Sequence, residues 1–356
     1  MIRVLVVDDS PSVRELLMFI LGSDPGIEIV GSAADGEEAI RMAQATKPNV
    51  ISMDLHMPNV DGFEATRRIM ETCPTPIVIV SGSEDPSEVG ASFRAIEAGA
   101  LVIVQRPVGV GHPAFRETAS ALIRTVKSMA EVKVVRRWSK TAGRTREQDA
   151  ARPAETERPA RKLVLIGAST GGPAVLRDIL AELPAGYPLP LLIVQHMSAG
   201  FLDGFAQWLS SASGFPVRVA EHGEGLVAGC AYLAPDGYQV AVTRDMRIAL
   251  SRGRSEHGMC PSVSHLFRSV HKDICPATIA VLLTGMGKDG AHELRQLKEH
   301  GAVTIVQDRA TSVVYGMPGE AIRQDAARLI LAPPDIGKML RGLGQEPQSD
   351  FPYLGD

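Results

Sequence analysis

The chain has 356 residues and a formal net charge of only −4, and a chain of this length usually folds as two globular domains. Its 45% of apolar and 22% of charged residues are ordinary for a water-soluble protein, and its four cysteines include no CxxC pair. No apolar run approaches the roughly 20 residues that a membrane-spanning helix needs, and Met1 leads straight into a strand-like segment instead of a signal peptide. We therefore predict a cytoplasmic protein without direct membrane insertion.

The first part of the chain, residues 1–132, alternates short β-branched apolar runs with segments of amphipathic helical spacing. The predicted strands are Ile2–Val7, Ile27–Gly31, Val50–Met53, Ile77–Val80 and Leu101–Val104. The predicted helices are Pro11–Leu21, Glu37–Ala45, Gly62–Glu71, Ser87–Ala98 and Ala114–Val132. Five successive βα units are typical of a doubly wound parallel sheet, so we predict one complete α/β domain here.

The alternation stops between residues 133 and 161, where Arg, Ala, Pro and Glu dominate. Such a stretch buries too little surface to offset its conformational entropy, which predicts a flexible basic linker. A second α/β domain is predicted over residues 162–345, followed by a C-terminal tail over 346–356. Its predicted strands are Leu163–Ile166, Leu191–Val194, Val217–Val219, Ile279–Leu283 and Val303–Val306. Its predicted helices are Val175–Glu182, Phe201–Ser211, Ser262–Val270, Ala291–His300 and Glu320–Asp325.

A tight turn is predicted between two further apolar runs of the second domain. Cys230–Ala234 and Tyr238–Thr243 flank Pro235-Asp236-Gly237, whose proline and glycine are typical turn residues. We therefore predict that these two runs pair as a β-hairpin.

Three aspartates follow strands of the first predicted sheet: Asp8 and Asp9 end the first strand, and Asp54 ends the third. The carboxyl ends of parallel strands meet at one edge of a sheet, so we expect the three carboxylates to converge. Gathered carboxylates repel one another unless a hard cation neutralises them, and Mg²⁺ prefers such oxygen ligands. A bound ion would then orient Asp54 as a phosphoryl acceptor. The alternative is that each aspartate only caps a helix or stabilises a loop.

Four motifs of the first domain stand out: VLVVDDSPSVRELL, DLHMPNVDGFEATRRI, PIVIVSGS and AGALVIVQRP. Together they resemble a bacterial response-regulator receiver. The resemblance implies a flavodoxin-like fold in which a histidine kinase supplies the phosphoryl group to Asp54, and in which Asp8 and Asp9 help to hold Mg²⁺. It also implies that Ser81 and Arg106 are the switch positions, with the Ser81 hydroxyl in contact with the phosphoryl group.

Two positions of this first domain depart from the receiver pattern. Arg106 stands where the family has a lysine, and Ile103 stands where it has an aromatic residue. A guanidinium keeps the positive charge but is wider and planar, so its reach to the phosphoryl oxygens differs from that of an ammonium group. The resemblance therefore implies phosphorylation and leaves the strength of the switch open.

The second domain opens with LVLIGASTGGP, in which a strand runs into a turn of small residues with Ser169 at its apex. Two glycines and Pro173 follow at the start of a predicted helix, where proline is well tolerated. This arrangement exposes one hydroxyl beside backbone N–H groups. By itself the motif fits a nucleophile or a phosphate-binding loop, although it lacks a Walker lysine and the GxGxxG spacing.

Two further polar residues follow other predicted strands of this domain. His196 directly ends a buried strand in IVQHM, and Asp289 follows a strand through the glycine-rich turn of LLTGMGKDG. Each alone has a structural alternative, as a satisfied histidine or a turn aspartate. Ser169, His196 and Asp289 at the carboxyl ends of three strands can meet in one crevice, which favours a catalytic triad.

In this triad Ser169 attacks a carbonyl carbon, His196 takes the hydroxyl proton and returns it to the leaving group, and Asp289 orients the imidazolium. The backbone N–H groups of Thr170 and of Met286, in the turn that precedes the aspartate, are the candidate oxyanion donors. Such a site needs no cofactor for ester chemistry. The order of the three residues along the chain and the lack of a GxSxG elbow distinguish it from the α/β-hydrolases.

Five motifs stand out in the second domain: GASTGGP, VQHM, CPSVSHLF, LLTGMGKDGA and QDRATSVVYGMPGEA. Together they resemble the catalytic domain of the CheB family of chemotaxis protein-glutamate methylesterases. The resemblance implies a Rossmann-like hydrolase domain with Ser169, His196 and Asp289 as its triad. It also implies hydrolysis of γ-glutamyl methyl esters on chemoreceptors, with release of methanol, and often deamidation of receptor glutamines.

The motif CPSVS departs from the RPSVD that CheB family members usually carry, with Cys260 and Ser264 at the two changed positions. The lost charges alter either a substrate contact or the local packing, and the sequence leaves these alternatives open. It also leaves open whether Gln307, Asp308 and the turn Gly316-Met317-Pro318 shape the substrate cleft or only scaffold a loop.

A signalling adaptor or a transcriptional regulator is the alternative from another functional class. The second domain carries a net negative charge and shows no helix-turn-helix pattern or basic helix, so we predict no nucleic-acid partner. A domain that only binds would not need a serine, a histidine and an aspartate at three strand ends. The sequence does not identify the receptor served, the presence of deamidase activity or the oligomeric state.

Overall fold

The computed structural model describes residues 1–82, 86–132, 134, 162–256 and 258–345. Apart from Val134, the predicted linker and the predicted C-terminal tail lie outside the described residues. The predicted domain boundaries therefore stay predictions. Among the helices in the described ranges, none combines the length and the apolar character needed to cross a membrane.

Strands and helices alternate along most of the described chain. The strands are β1 (Ile2–Val7), β2 (Ile27–Ala33), β3 (Val50–Met53), β4 (Ile77–Ser81), β5 (Val102–Gln105), β6 (Leu163–Ala168), β7 (Leu191–Gln195), β8 (Val217–Val219), β9 (Ala231–Leu233), β10 (Gln239–Val242), β11 (Ile248–Ser251), β12 (Thr278–Leu282), β13 (Val303–Gln307) and β14 (Leu329–Leu331). The helices are α1 (Pro11–Gly22), α2 (Gly36–Thr46), α3 (Gly62–Thr72), α4 (Pro86–Ala98), α5 (Phe115–Ala130), α6 (Gly172–Ala181), α7 (Leu202–Ser213), α8 (Val263–Arg268), α9 (Ala291–Glu299), α10 (Met317–Arg323) and α11 (Pro333–Gln345).

Each of the two larger sheets forms the centre of its own compact unit. In the first sheet the strand order is β2-β1-β3-β4-β5, and every neighbouring pair is parallel. This is the flavodoxin-like order, in which the strand order reverses between β1 and β3. The register places Val7 at the end of β1 beside Met53 at the end of β3, so the residues that follow leave the sheet side by side.

Local contacts fix the helix that begins beside this edge. Asp61 caps α3 by accepting a hydrogen bond from the backbone N–H of Glu64 (2.8 Å). Gly62 lets α3 begin directly against the end of β3, since a Cβ there would lie 2.0 Å from the carbonyl oxygen of Asp54. The start of α3 thus packs directly against the backbone of Asp54.

The second sheet has the order β14-β13-β12-β6-β7-β9-β8, again with parallel neighbours. The chain enters this sheet at β6, extends it through β7 on one side, and later adds β12, β13 and β14 on the other. The strand order therefore reverses between β6 and β12. In open parallel sheets the ligand crevice lies at the carboxyl ends of the strands at such a point. Both sheets have the predicted doubly wound α/β architecture.

The predicted hairpin of the second domain is wrong. β9 joins the parallel sheet between β7 and β8, with Ala231 beside Leu191 of β7. β10 pairs instead with β11, which has no counterpart among the predicted strands, and Gln239 lies opposite Ser251. The physical reason is burial, because all three residues of β9 are buried, as suits a strand inside a parallel sheet.

Two elements at the end of the second domain, β14 and α11, also have no predicted counterpart. β14 is a strand of three residues at the edge of the sheet, too short to show a periodic pattern. The helix α11 begins with two prolines, which suit a first helical turn. The Tyr187 hydroxyl donates a hydrogen bond to the carbonyl of Leu340, within this helix (2.8 Å).

Candidate functional site

The first sheet gathers three carboxylates at its carboxyl edge. Asp8 and Asp54 are buried and Asp9 is exposed, and one carboxylate oxygen from each lies within 4.8 Å of the others. The sheet places them there, since the backbone N–H of Asp54 donates to the carbonyl of Val7 (2.9 Å) as the chain leaves β3. The three groups are close enough to ligate one cation.

Burial and repulsion set the electrostatics of this cluster. Burial, reinforced by the charge of Asp54, raises the pKa of Asp8 to about 6. Burial also raises the pKa of Asp54, against the opposing effect of the Arg106 charge. One guanidinium nitrogen of Arg106 lies 3.5 Å from Asp8 Oδ2 and 3.6 Å from Asp54 Oδ1. Two buried carboxylates that share one guanidinium retain negative charge, which fits a divalent cation.

Ser81 and Arg106 lie at the ends of neighbouring strands of this sheet. Ser81 is the buried last residue of β4, and its carbonyl accepts a hydrogen bond from the backbone N–H of Arg106 (2.8 Å). The Arg106 guanidinium lies against Gly82, where a Cβ would stand 3.0 Å from Cζ. Gly82, which the sequence did not single out, therefore provides the space that the planar head of Arg106 needs.

The second sheet places Ser169 and His196 at the carboxyl ends of neighbouring strands. Ala168, the last residue of β6, lies beside Gln195, the last residue of β7, and the chain continues into Ser169 and His196. The backbone N–H of Gly172 donates to the Ser169 carbonyl (2.8 Å), which closes the turn into α6. Ser169 and His196 therefore directly follow neighbouring strands at the carboxyl edge of the second sheet.

The loop after β12 carries Asp289, and β12 pairs with β6 on the side opposite β7. The side chain of Val263 packs between the loop and the strand. A Cβ on Gly167 or on Gly290 would come 2.4 Å from Cγ1 of Val263. Both glycines therefore allow the loop of Asp289 to approach the end of β6, close in sequence to Ser169.

The Asp289 carboxylate is buried and accepts hydrogen bonds from residues at the start of α8. Its Oδ1 accepts from Ser262 Oγ (2.9 Å) and from the Ser264 N–H (2.9 Å), and its Oδ2 accepts from the Val263 N–H (2.7 Å). The N–H of Gly290 in turn donates to Ser264 Oγ (2.9 Å). We call these four hydrogen bonds the Asp289 clasp. The clasp fixes the orientation of the carboxylate and of the backbone that follows it.

The clasp shows what one of the two departing positions of the CPSVS motif contacts. Ser264 contacts the loop of Asp289 directly, a role that the sequence did not reveal. Burial raises the pKa of the Cys260 thiol, which disfavours the reactive thiolate form. Nothing in the structure explains why a cysteine stands at position 260.

The loop that carries Met286 is clamped from its other side. The Gly285 carbonyl accepts hydrogen bonds from the N–H groups of Gly316 (3.1 Å) and Met317 (2.9 Å). A Cβ on Gly316 would lie 2.7 Å from that carbonyl oxygen, so only glycine permits this approach. Met286 itself is 47% exposed. The turn at Gly316 therefore scaffolds the loop of one candidate oxyanion donor, while the other, Thr170, directly follows the predicted nucleophile.

Gln307 and Asp308 also make scaffolding contacts. The buried Gln307 side chain accepts from the Thr284 N–H (2.8 Å) and donates to Thr311 Oγ1 (3.2 Å). Asp308 Oδ1 accepts from the Thr311 N–H (3.0 Å). Gln307 thus links the end of β12 to the loop that follows β13, and Asp308 stabilises that loop.

Two family models match the chain in the order of its two sheets. The response regulator receiver domain matches residues 4–136, and CheB methylesterase matches residues 164–340. A relative from Nitrosospira multiformis, named protein-glutamate methylesterase/protein-glutamine glutaminase, is 52% identical over 348 residues, which cover 97% of this chain and 98% of the relative. The chain belongs to the CheB methylesterase family. The resemblances to a receiver and to a CheB catalytic domain are both confirmed.

Other CheB proteins extend the comparison. A Geobacter metallireducens relative with the same name, numbered 4, is 51% identical over 351 residues, which cover 97% of this chain and all of the relative. The crystal structure of the Thermotoga maritima CheB methylesterase catalytic domain has a TM-score of 0.50 and 34% identity to this chain. It covers 52% of this chain and 100% of its own length. The two-domain CheB arrangement therefore spans almost the whole chain.

Proposed function

We propose that this CheB family chain is a phosphorylation-regulated hydrolase that removes methyl esters from glutamate side chains of chemoreceptors and deamidates receptor glutamines. The observation that carries the proposal is the match of almost the whole chain, both domains together, to relatives named for these two activities. The proposed substrates are methyl-accepting chemoreceptors, and the phosphodonor is a chemotaxis histidine kinase. The proposed role of this chain is in the adaptation of a chemosensory pathway, and its proposed location is the cytoplasm.

We assign Ser169, His196 and Asp289 as the catalytic triad. Ser169 Oγ attacks the γ-carbonyl carbon of the methylated glutamate, and His196 accepts the hydroxyl proton and delivers it to the methoxy oxygen, which leaves as methanol. Water then attacks the acyl-serine, and its proton passes through His196 to Ser169 Oγ as the glutamate is released. The support for this assignment is the position of the three residues beyond the ends of β6, β7 and β12.

One acyl-serine intermediate accounts for both proposed substrates. A glutamine side chain presents the same γ-carbonyl carbon, and its leaving group is ammonia, which needs a proton from His196 before the C–N bond breaks. The product is glutamate in both reactions. The nucleophile, the base and the hydrogen-bond donors all come from this chain, so we propose no cofactor for this chemistry.

The backbone N–H groups of Thr170 and Met286 are the proposed donors to the oxyanion of the tetrahedral intermediates. Such donors stabilise the transition state most when they need no reorganisation during the reaction. The two hydrogen bonds to the Gly285 carbonyl support this role for Met286, because they restrain its loop before substrate binds.

We propose Asp54 as the phosphorylated residue, with Mg²⁺ held by Asp8, Asp9 and Asp54. The ion would neutralise the buried carboxylates and orient the phosphoryl group. Ser81 and Arg106 are the proposed switch residues that contact the phosphoryl group. The support for this assignment is the proximity of the three carboxylates and of the Arg106 guanidinium.

Methanol release from methylated receptor membranes tests the proposed activity. We expect release by the full-length chain to increase when a phosphodonor and Mg²⁺ are added, and we expect receptors that carry glutamine to release ammonia. The Ser169→Ala variant serves as the inactive reference. Release from neither protein would refute the proposed activity, and equal release from both would refute the triad.

Replacing Asp8 by asparagine is expected to stabilise the first domain when Mg²⁺ is absent. The folded-state pKa of Asp8 is about 6, above its ordinary value of 3.8, so folding opposes ionisation of this carboxyl group at neutral pH. We expect a gain in the free energy of unfolding on the order of 2 kcal/mol at pH 7.5, about half of that at pH 5 and almost none below pH 4. Thermal unfolding of the full-length proteins in EDTA measures this gain.

Addition of Mg²⁺ provides the control for the Asp8→Asn variant. The ion should stabilise the wild-type protein by mass action, whereas the variant, which lacks one ligand charge, should gain little. The electrostatic explanation fails if the variant is the less stable protein in EDTA at pH 7.5, or if Mg²⁺ stabilises both proteins equally.

The Gly82→Ala substitution is expected to weaken phosphoryl binding only while Arg106 is present. The added methyl group would stand 3.0 Å from Cζ of Arg106 and displace the guanidinium. A lysine at position 106 has a narrower head and leaves room for the methyl group. We expect beryllofluoride to bind about 5- to 10-fold more weakly to Gly82→Ala, but less than about 2-fold more weakly when Arg106→Lys is already present. Calorimetric titration with beryllofluoride in the presence of Mg²⁺ measures the loss of affinity with arginine and with lysine at position 106. Equal losses would contradict the coupling between Gly82 and Arg106.

A further inference from the structure

We infer that Ser264 is a positioning residue for the catalytic carboxylate, because its hydroxyl holds the loop of Asp289 without adding a second negative charge beside it. The inference rests on the proposed function, since it concerns the triad assigned there. Ser264 is the last residue of the CPSVS motif and carries no charge. A neutral residue therefore makes, at this position of the chain, the contact that fixes the loop.

The backbone and the side chain of Ser264 both contact the loop that carries Asp289. Its N–H donates to Asp289 Oδ1, and its Oγ accepts from the N–H of Gly290. Ser264 and Asp289 are only 1% and 3% exposed, so water does not replace these partners. A buried N–H without an acceptor is costly, so loss of the hydroxyl would push the Gly290 backbone away from its present place.

The start of α8 is itself held to another element, so it provides a fixed reference for Asp289. The Ser262 N–H donates to Oε1 of the buried Gln239 (2.9 Å) at the start of β10. The Gln239 amide nitrogen donates in turn to the carbonyls of Arg254 (3.2 Å) and Met259 (3.3 Å). When the hydroxyl at position 264 is removed, we therefore expect the loop of Asp289 to move and α8 to stay in place.

The charges near the clasp explain why a neutral side chain matters there. Arg268, at the other end of α8, interacts electrostatically with the catalytic carboxylate. The same guanidinium already pairs with Glu256 (2.6 Å) and Glu293 (3.2 Å), and His265 Nδ1 lies 3.1 Å from Glu256 Oε1. Its positive charge is thus shared among several acids. A further carboxylate at position 264 would add negative charge beside the triad that Arg268 does not offset.

Removal of the Ser264 hydroxyl is expected to lower kcat and to leave KM unchanged. Misplacement of a catalytic group by about 1 Å can cost roughly 100-fold in rate, so we expect kcat of Ser264→Ala to fall about 10- to 100-fold, with KM within about 2-fold. Ser264→Asn restores an oxygen that can accept from Gly290, and we expect it to recover most of the lost kcat. Methanol release from methylated receptor membranes by phosphorylated full-length protein measures both parameters.

The Ser264→Asp and Ser264→Asn variants form a pair of equal size that isolates the effect of charge. A carboxylate beside Asp289 favours the protonated imidazole, so less of the general base is available at low pH. We expect the acidic limb of the kcat/KM profile to move upward by about one pH unit in Ser264→Asp and to stay at the wild-type position in Ser264→Asn. Glu256, His265, Arg268 and Glu293 are identical in both variants, so their titration cancels in the comparison.

Ser269→Ala is the control for a purely structural effect. Ser269 lies at the opposite end of α8, where its Oγ accepts from the Val242 N–H (2.9 Å) and donates to the Leu266 carbonyl (2.7 Å). This variant removes two hydrogen bonds from the same helix without touching the clasp. We expect it to lower the unfolding temperature at least as much as Ser264→Ala, and to keep kcat within about 2-fold of the wild type.

Three results would overturn the inference: wild-type kcat in Ser264→Ala, equal losses of kcat in Ser264→Ala and Ser269→Ala, or the same acidic limb in the aspartate and asparagine variants. If Ser264→Ala does not fold, the aspartate and asparagine pair still decides the question. Wild-type protein without activity, or an active Ser169→Ala variant, would instead refute the proposed function. The two failures are therefore distinguishable.

Discussion

Ser169→Ala is expected to lower kcat for methanol release by at least about 10,000-fold, while the variant still binds methylated receptors. Removal of the serine nucleophile from a comparable triad costs up to about a million-fold, because the base and the oxyanion donors cannot form the acyl intermediate without it. Binding should persist, since the methyl group of alanine fits where the larger hydroxymethyl group stood. Initial rates and a binding titration on the same receptor membranes measure the two quantities.

A fluorophosphonate reagent gives a second measurement of the same prediction. Such reagents form a covalent bond with an activated serine, so wild-type protein should be labelled and Ser169→Ala should not. Ser251→Ala is the matched control, because this serine is exposed on β11 and should retain both labelling and methanol release. Stoichiometric labelling of Ser169→Ala, or methanol release within about 10-fold of wild type, would contradict Ser169 as the nucleophile.

Asp54→Asn is expected to abolish phosphoryl incorporation and, with it, stimulation of the esterase by a phosphodonor. Asparagine has nearly the same shape but lacks the anionic oxygen that attacks the phosphodonor, so we expect incorporation to fall at least about 100-fold. The proposed catalytic residues lie on a different sheet, so the activity without phosphodonor should persist. Radiolabelled acetyl phosphate with Mg²⁺ measures incorporation, and methanol release measures stimulation.

Asp61→Asn is the matched control for this experiment. Asp61 is an exposed carboxylate in the same loop region, and it caps α3 through the Glu64 N–H, a role that asparagine also performs. We expect this variant to incorporate phosphate like the wild type, and the label to be released by hydroxylamine, as an acyl phosphate is. Hydroxylamine-sensitive label at wild-type level in Asp54→Asn would contradict Asp54 as the acceptor.

The strands of the first domain could be predicted from sequence because each is short, apolar and β-branched. Those that end in polar residues also reveal where the chain leaves the sheet. In a parallel sheet all such points share one edge, so Asp8 and Asp54 could be expected together although they are distant in sequence. The structure confirms the doubly wound architecture, and the register of Val7 beside Met53 shows why the inference works.

Strand pairing within the second domain was harder to predict. β9, β10 and β11 are short apolar runs separated by turns, and each could pair with either neighbour. A turn sequence indicates where the chain reverses, but it does not show which sheet has room for a buried strand. β9 pairs with β7 and not with β10, because its fully buried side chains need cover on both faces.

The sequence by itself predicted two α/β domains and the acidic cluster, and it led to the proposed assignment of Ser169, His196 and Asp289, because each of these signals lies at a strand end that the backbone pattern locates. Only the tertiary structure identified Ser262 and Ser264 as the partners of Asp289, since they lie 27 and 25 residues away from it in the chain. A hydrogen bond between a loop and a helix start depends on how the two pack. No local pattern of residues carries that information.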